Sequence, residues 1–206
     1  MTHLRLAALA AAFGALAAPA AGQSLSFSGG LTITSNYMSR GITQSANRPA
    51  LQFWGEVESY GFYAGLWGST VRMAPDRLEF DLSAGYRFSV GAAAVDIGYT
   101  RFLYDSTGDC CGELHARVEV DAQPGAWFGA IAYDPSGRRI TDTHLGVRYD
   151  FADRFNASAT VGRAPGVSYG VLGLGYRLND SVGFDAAAHL SSAQSSRIVL
   201  STSIGF

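Results

Sequence analysis

Hydrophobic and polar residues alternate along most of the chain after residue 24. In the first such stretch Leu25, Phe27, Leu31 and Ile33 are separated by serine, threonine and glycine. Because successive side chains of a β-strand point to opposite faces, this period of two predicts strands with one apolar and one polar face. The same alternation predicts eleven further strands, strongly over 77–88, 113–121, 144–149 and 197–206, and more weakly over 50–59, 62–70, 93–104, 126–133, 154–162, 167–178 and 182–191.

The connections between these strands are of two kinds. Every second connection is a short turn, as at Gly61 and at residues 152–153. Those between are on average longer and include the longest connection, residues 36–49. An even number of strands joined in this way, with both termini on the side of the short turns, fits an up-and-down barrel. The predicted fold class is all-β, a closed antiparallel transmembrane β-barrel of about 12 strands.

The first 22 residues predict a cleaved secretory signal peptide. Arg5 precedes an apolar stretch over residues 6–18, and small residues follow Pro19. This stretch is shorter than the ~20 residues that a spanning helix needs, which disfavours an N-terminal anchor. We place cleavage after Gly22, with Ala20 as the alternative, so that the barrel comprises residues 23–206.

Alternation alone does not separate a membrane barrel from a soluble periplasmic sandwich, in which the apolar face points inward. Three features favour the membrane barrel. The predicted signal exports the chain, aromatic residues cluster near the strand ends as interfacial girdles do, and Phe206 closes an alternating strand at the C-terminus. We therefore predict a location in the outer membrane of a Gram-negative bacterium.

Composition excludes several other classes of protein. The 206 residues are 48% hydrophobic and 16% charged, which is too apolar for a disordered chain. The formal net charge of −2 leaves no basic excess to bind nucleic acid. The expected partners are outer-membrane lipids, lipopolysaccharide and small solutes or ions.

Several blocks of sequence resemble a known family. They are SNYMSRGITQS at residues 35–45, GFYAGLWGS at 61–69 and EFDL at 79–82, followed by Gly–Tyr pairs at 85–86 and 98–99. Over about residues 33–120 the chain is similar to the TorF-type porins, a proteobacterial outer-membrane family also known as the Gcw_chp family. The resemblance implies a small outer-membrane channel and carries no catalytic residues to transfer.

In a membrane barrel the polar face of each strand lines the lumen. The lumen-lining residues that we predict are Glu56, Glu79, Asp81, Arg87, Glu113, His115, Arg117, Glu119, His144 and Arg148. On this face acidic side chains outnumber basic ones, and a surplus of one sign in a narrow lumen attracts counter-ions. We therefore predict a porin-like channel for passive diffusion with a weak preference for cations.

The longest connection carries the candidate anchors Arg40, Gly41 and Arg48. We expect this loop to fold over the outer mouth, with Arg40 bound to acidic lumen groups or to lipopolysaccharide phosphates. Gly41 tolerates a positive φ, and Arg48 precedes Pro49, which fixes the entry into the next strand. The alternative is an ordinary hairpin loop with a solvated arginine.

Cys110 and Cys111 are adjacent in a predicted extracellular loop. In an oxidising compartment they can form a vicinal disulfide or pair with another chain. A loop staple is the favoured interpretation, and redox sensing is the alternative.

His189 and Ser191 provide the main alternative to a channel. Their spacing on one strand face is that of the dyad of outer-membrane lipid hydrolases, in which His activates Ser, and Asp185 shares the face. Serine is abundant nearby, so we predict that the protein is not an enzyme and binds no metal or cofactor. A lipid deacylase and a non-conducting structural barrel stay as alternatives.

Overall fold

The computed structural model describes residues 25–206, so the predicted signal peptide, residues 1–22, lies outside the described residues. Twelve strands form one closed barrel, and two short strands form a separate hairpin. The strands are β1 (Leu25–Thr34), β2 (Met38–Ser39), β3 (Ile42–Thr43), β4 (Ala50–Ser59), β5 (Phe62–Met73), β6 (Asp76–Val90), β7 (Ala93–Tyr104), β8 (Gly108–Asp121), β9 (Gly125–Asp134), β10 (Arg139–Ala152), β11 (Phe155–Ala164), β12 (Val167–Arg177), β13 (Val182–Ser191) and β14 (Arg197–Gly205). Within this part of the chain, no helix is long and apolar enough to cross a membrane.

Each barrel strand pairs antiparallel with the next, and β1 closes the barrel between β14 and β4. At this closure Gly30 lies opposite both Gly205 and Trp54. The predicted all-β class and the number of twelve barrel strands are confirmed. The predicted bounds of β4, β7 and β13 agree with the structure, whereas β6, β8 and β10 extend further. Their extensions carry no strict alternation of apolar and polar residues, which is why the sequence pattern missed them.

The outward face of the barrel is a continuous apolar surface. Large side chains there are largely exposed, among them Phe27 at 61%, Val161 at 67% and Ile198 at 77%. Such a surface is stable in hydrocarbon but not in water, so the barrel has the exterior of a membrane protein.

Aromatic rings encircle the end of the barrel that carries the short turns. Phe62 lies 4.6 Å from Tyr86, and Phe155 lies 4.8 Å from Tyr176, as centroid distances. The rings of Tyr176 and Phe184 continue the series at 6.4 Å. Amphipathic rings gather at the membrane–water interface, so this end marks one boundary of the membrane. By the convention of outer-membrane barrels, it is the periplasmic end.

The interior of the barrel is polar. Its buried residues include Thr34, Ser69, Glu79, Glu113 and His115. Because buried polar groups are costly unless they are hydrogen-bonded or paired, the contacts among these side chains determine the shape of the lumen.

Candidate functional site: the lumen and loop L1

Residues 35–49, here called loop L1, connect β1 to β4 and contain the β2–β3 hairpin. The two residues at its tip, Arg40 and Gly41, have φ values of +49° and +79°. Two successive positive φ angles are required by the tight turn that matches the twist of a two-stranded hairpin. The sequence pattern predicts no strands within this connection, although the glycine after Arg40 is a signal for such a turn.

Asn36, which is 5% exposed, organises the base of L1. Its Oδ1 accepts a hydrogen bond from Thr43 Oγ1 at 2.6 Å and lies 3.0 Å from Ser45 Oγ. Its Nδ2 donates to Asn47 Oδ1 at 3.3 Å. Because one buried amide joins both arms of the loop, L1 has a defined shape of its own.

Arg40 connects the tip of L1 to the opposite wall of the barrel. Its Nη1 and Nη2 donate to the two carboxylate oxygens of Glu113 on β8, at 2.7 and 2.5 Å. Nη1 also lies 3.5 Å from the backbone oxygen of Thr141. This two-point geometry is the strongest form of arginine–carboxylate contact. The geometry is that of Arg40 bound to an acidic lumen group, not of a solvated arginine.

Gly41 rests against a different part of the wall. A Cβ added there would lie 2.8 Å from Tyr169 Cβ and 3.1 Å from Ser191 Oγ. L1 is also joined to β5 by a bond from Arg72 N–H to Gln44 O at 2.8 Å, and to β14 by one from Arg197 Nε to Asn47 Oδ1 at 2.8 Å. L1 therefore extends across the extracellular mouth and is attached on several sides.

Arg48, the third candidate anchor, contacts the rest of L1 through its backbone. The residue is exposed, and within residues 25–206 its side chain forms no hydrogen bond or ion pair. Its backbone closes a turn instead, because Arg48 N–H donates to Ser45 O at 3.1 Å and Arg48 O accepts from Ser45 Oγ at 2.6 Å.

A cluster of ion pairs occupies the lumen between β4 and β8. Arg87 binds Glu56 at 2.5 Å and Glu58 at 2.7 Å, and its guanidinium lies 4.0 Å from the ring centroid of Tyr63. The Tyr63 hydroxyl donates to Asp96 at 2.8 Å. The same hydroxyl lies 3.0 Å from His115 Nε2, and Arg117 lies 3.4 Å from Asp96. These contacts fill the wall and neutralise most of its charge.

Two smaller groups continue the wall toward β10. Arg148 lies 3.2 Å from Glu119, and His144 Nδ1 lies 2.8 Å from Asp142. Asp142 also accepts a bond from the Tyr169 hydroxyl at 2.7 Å. All ten residues that the sequence assigned to the lumen thus lie on the inward face, and most of their charges are paired.

Glu79 and Asp81, here called the acidic pair, are different. Within the described residues neither forms an ion pair with a basic side chain. Glu79 is 5% exposed and accepts from the Tyr104 hydroxyl at 2.8 Å, but its Oε2 has no hydrogen-bond partner. The buried Oδ1 of Asp81 has none either. The sequence predicts that both residues line the lumen, but it does not predict that they lack an ion-pair partner, because pairing depends on which arginines reach across the lumen.

The wall formed by β11–β14 and β1, here called the small-residue wall, carries many small side chains. By register its inward positions include Ser158, Thr160, Gly173, Ala187 and Ser203, and Tyr169, Asp185 and His189 also face inward there. Small side chains leave space in the lumen beside this wall.

Cys110 and Cys111 lie in β8 and not in a loop, because β8 begins at Gly108. This corrects the predicted position. Their sulfurs are within bonding distance of each other. Asp109, the preceding residue, forms an ion pair with Arg101 on β7. The redox state of the pair stays a prediction.

His189 and Ser191 face the lumen and not the lipid. Leu190 between them is 46% exposed on the outer face. Ser191 Oγ accepts a hydrogen bond from Ala193 N–H at 3.1 Å and lies beside Gly41 of L1. A lipid ester outside the barrel approaches the opposite face of β13, so this geometry does not favour the deacylase alternative.

Comparisons with known proteins address the family and the fold. A family model described as "Bacterial protein of unknown function (Gcw_chp)" matches residues 17–193. A search of curated proteins found no match. The family match confirms the resemblance to Gcw_chp, while the TorF-type description stays a prediction.

Solved structures with the same fold are outer-membrane barrels. A structure described as "KdgM porin" has a TM-score of 0.66 at 10% identity and covers 87% of this chain and 99% of its own. The NanC porin has a TM-score of 0.59 at 12% identity, with coverages of 85% and 98%. Outer membrane phospholipase A from Escherichia coli has a TM-score of 0.55 at 12% identity, with coverages of 86% and 89%. The fold matches that of Gram-negative outer-membrane porins, which supports the predicted localisation.

Proposed function

The chain belongs to the Gcw_chp family of bacterial proteins of unknown function, and from its porin-like fold we propose that it is a narrow outer-membrane channel for passive diffusion with a weak preference for cations. The observation that carries this proposal is the polar lumen, in which a small-residue wall faces a charged wall. Such an interior accommodates water and small solutes, whereas a purely structural barrel can fill its interior with packed side chains.

In this proposal L1 sets the upper limit on the size of the solutes that pass through the barrel. It crosses the extracellular mouth and contacts β5, β8, β13 and β14, so solutes pass through the openings that remain between these contacts. A constriction formed by a loop with several attachments gives a small and steady conductance.

The acidic pair determines the sign of the ion preference. Glu113 is paired with Arg40 and Glu119 with Arg148, so their charges contribute little to the field along the path. Glu79 and Asp81 have no such partner and lie in a part of the lumen where screening by salt is weak. The net field is therefore negative and favours cations.

Planar-bilayer recording of the purified, folded protein tests the proposal. We expect discrete conductance steps from the parent protein, and a loss of cation preference in a variant carrying Glu79→Gln and Asp81→Asn. Glu119→Gln is the matched control, because it removes a charge that Arg148 already neutralises, and it should alter the preference less. A folded barrel that never conducts would refute the proposal and favour a structural role.

A further inference from the structure

A cavity of about 460 Å³ lies in the lumen beneath L1. Its lining includes Tyr37 from L1, Trp67 from β5, Asp81 from β6 and Phe102 from β7. The volume is within the range of sites for small molecules. The cavity therefore has room for a ligand. It combines aromatic rings with four carboxylates, of which Glu56, Glu113 and Asp142 are engaged by Arg87, Arg40 and His144, whereas Asp81 has no such partner in the described residues.

The register of the sheet places Asp81 between two aromatic residues. Asp81 lies directly opposite Trp67 on one side and directly opposite Phe102 on the other. All three side chains face the lumen, and residues opposite each other on neighbouring strands are in contact range. The ring of Tyr37 lies 5.4 Å from that of Trp67 and extends the aromatic surface upward. The carboxylate is thus bordered by aromatic residues on two sides, and the ring of Tyr37 lies beyond Trp67.

Two buried carboxylate oxygens at or near this cavity have no hydrogen-bond donor among the described residues. Three arginines line the cavity, but each is ion-paired: Arg40 with Glu113, Arg87 with Glu56 and Arg117 with Asp96. Within residues 25–206, Asp81 Oδ1 is buried without a hydrogen-bond donor, and so is Oε2 of Glu79, which is 5% exposed and lies two residues away on the same face. Buried carboxylate oxygens without donors are costly, and a bound donor with positive charge would relieve this cost.

We infer that this cavity binds organic cations, namely ammonium or guanidinium groups on short carbon skeletons. Such a cation donates hydrogen bonds to Asp81 and places its positive charge against the faces of Trp67 and Tyr37, which attract cations. Metal ions are less suited, because hard cations require several oxygen ligands, and no group of three His, Cys, Asp or Glu residues within 25–206 is arranged to hold one. The inference deepens the proposed channel function and rests on it, because a channel gives solutes access to the lumen.

Binding is tested in detergent solution, where conductance plays no part. Substitution of Trp54 and Trp127 by Phe leaves Trp67 as the only tryptophan of the chain, so its fluorescence reports on the cavity. Ethylguanidinium and the neutral, similarly shaped ethylurea are the matched probes. We expect a saturable change in fluorescence with ethylguanidinium and none with ethylurea.

Asp81→Asn should lower the affinity for ethylguanidinium at least about tenfold, since a charge-assisted bond is lost. Asp185→Asn is the matched control, because Asp185 is another lumen carboxylate, on β13, outside this cavity. Asp81→Asn removes an unpaired buried charge and should fold at least as well as the parent, which heat-modifiable gel migration checks. Equal responses to the two probes, or equal affinity in Asp81→Asn, would overturn the inference.

Recording in bilayers separates this inference from the proposed function. Conductance of K⁺ without any binding or block by ethylguanidinium would refute the inference and leave the channel intact. Binding of ethylguanidinium by a barrel that does not conduct would support the inference and refute the channel.

Discussion

Removal of the Arg40 side chain tests how firmly L1 closes the mouth. The substitution Arg40→Ala removes bonds of 2.7 and 2.5 Å to Glu113, whose side chain is 10% exposed. Breaking a buried ion pair costs about 3–5 kcal/mol, because the remaining charge is left without a partner. Arg40 itself is 32% exposed, so solvent screening reduces the effect to about 2 kcal/mol.

A change of this size shifts the ratio of attached to detached L1 about thirtyfold. In single-channel records we expect Arg40→Ala to show larger steps or frequent transitions between levels. Arg48→Ala is the matched control, because it removes the same charge from the same loop but from an exposed side chain without bonds in the described structure. Its record should resemble that of the parent.

The partner residue completes the test. Glu113→Gln should disturb L1 in the same way, and the double variant should be little worse than either single variant, because both remove one interaction. Identical conductance and dwell times in Arg40→Ala and the parent would refute the assigned role of Arg40. Equal effects of Arg40→Ala and Arg48→Ala would instead show that charge alone matters.

Further predictions concern the turns and the cysteines. Gly61→Ala should lower the unfolding temperature, followed by heat-modifiable gel migration, more than Gly91→Ala does. Both glycines have a positive φ, but only at Gly61 would a Cβ lie 2.4 Å from a backbone oxygen of β6. Equal effects of the two substitutions would contradict this prediction. Cys110 and Cys111 should react with a maleimide only after reduction, and disulfide-linked dimers on non-reducing gels would contradict an internal bond. Two backbone N–H groups at the start of β6 donate to Asp105 in its exposed turn and lower the pKa of its carboxyl group. The carboxylate therefore stabilises the folded turn above the unfolded-state pKa, and this stabilisation is lost as pH falls through the folded-state pKa. Hydrogen exchange at the start of β6 should accelerate on acidification in the parent but not in Asp105→Asn, and the same acceleration in both would be contrary evidence.

The architecture follows from the sequence because a barrel wall separates two environments. Every wall strand must alternate between lipid-facing and lumen-facing residues, so the period of two is strong for strands such as β4, β7 and β13. The β2–β3 hairpin belongs to L1 and is not part of the barrel wall. Its strands are two residues long, too short for any period to be visible.

The same alternation predicts which residues line the lumen, but it does not predict which of them form ion pairs. Alternation gives the face on which a side chain lies and says nothing about which loop crosses the lumen. Arg40 and Glu113 are 73 residues apart, and only the path of L1 brings them together. The exposure of the Arg48 side chain could not be predicted either, because the orientation of a loop side chain depends on the local turn.

The reversal potential of the parent channel in a KCl gradient is the most direct test of a cation-preferring channel. We expect discrete conductance steps and a reversal potential of the sign that K⁺ selectivity produces. The potential should be larger in dilute than in concentrated salt, because screening weakens the field of the acidic pair. A reversal potential of the opposite sign, showing preference for Cl⁻, would contradict the proposed function, and so would the absence of conductance from a correctly folded barrel.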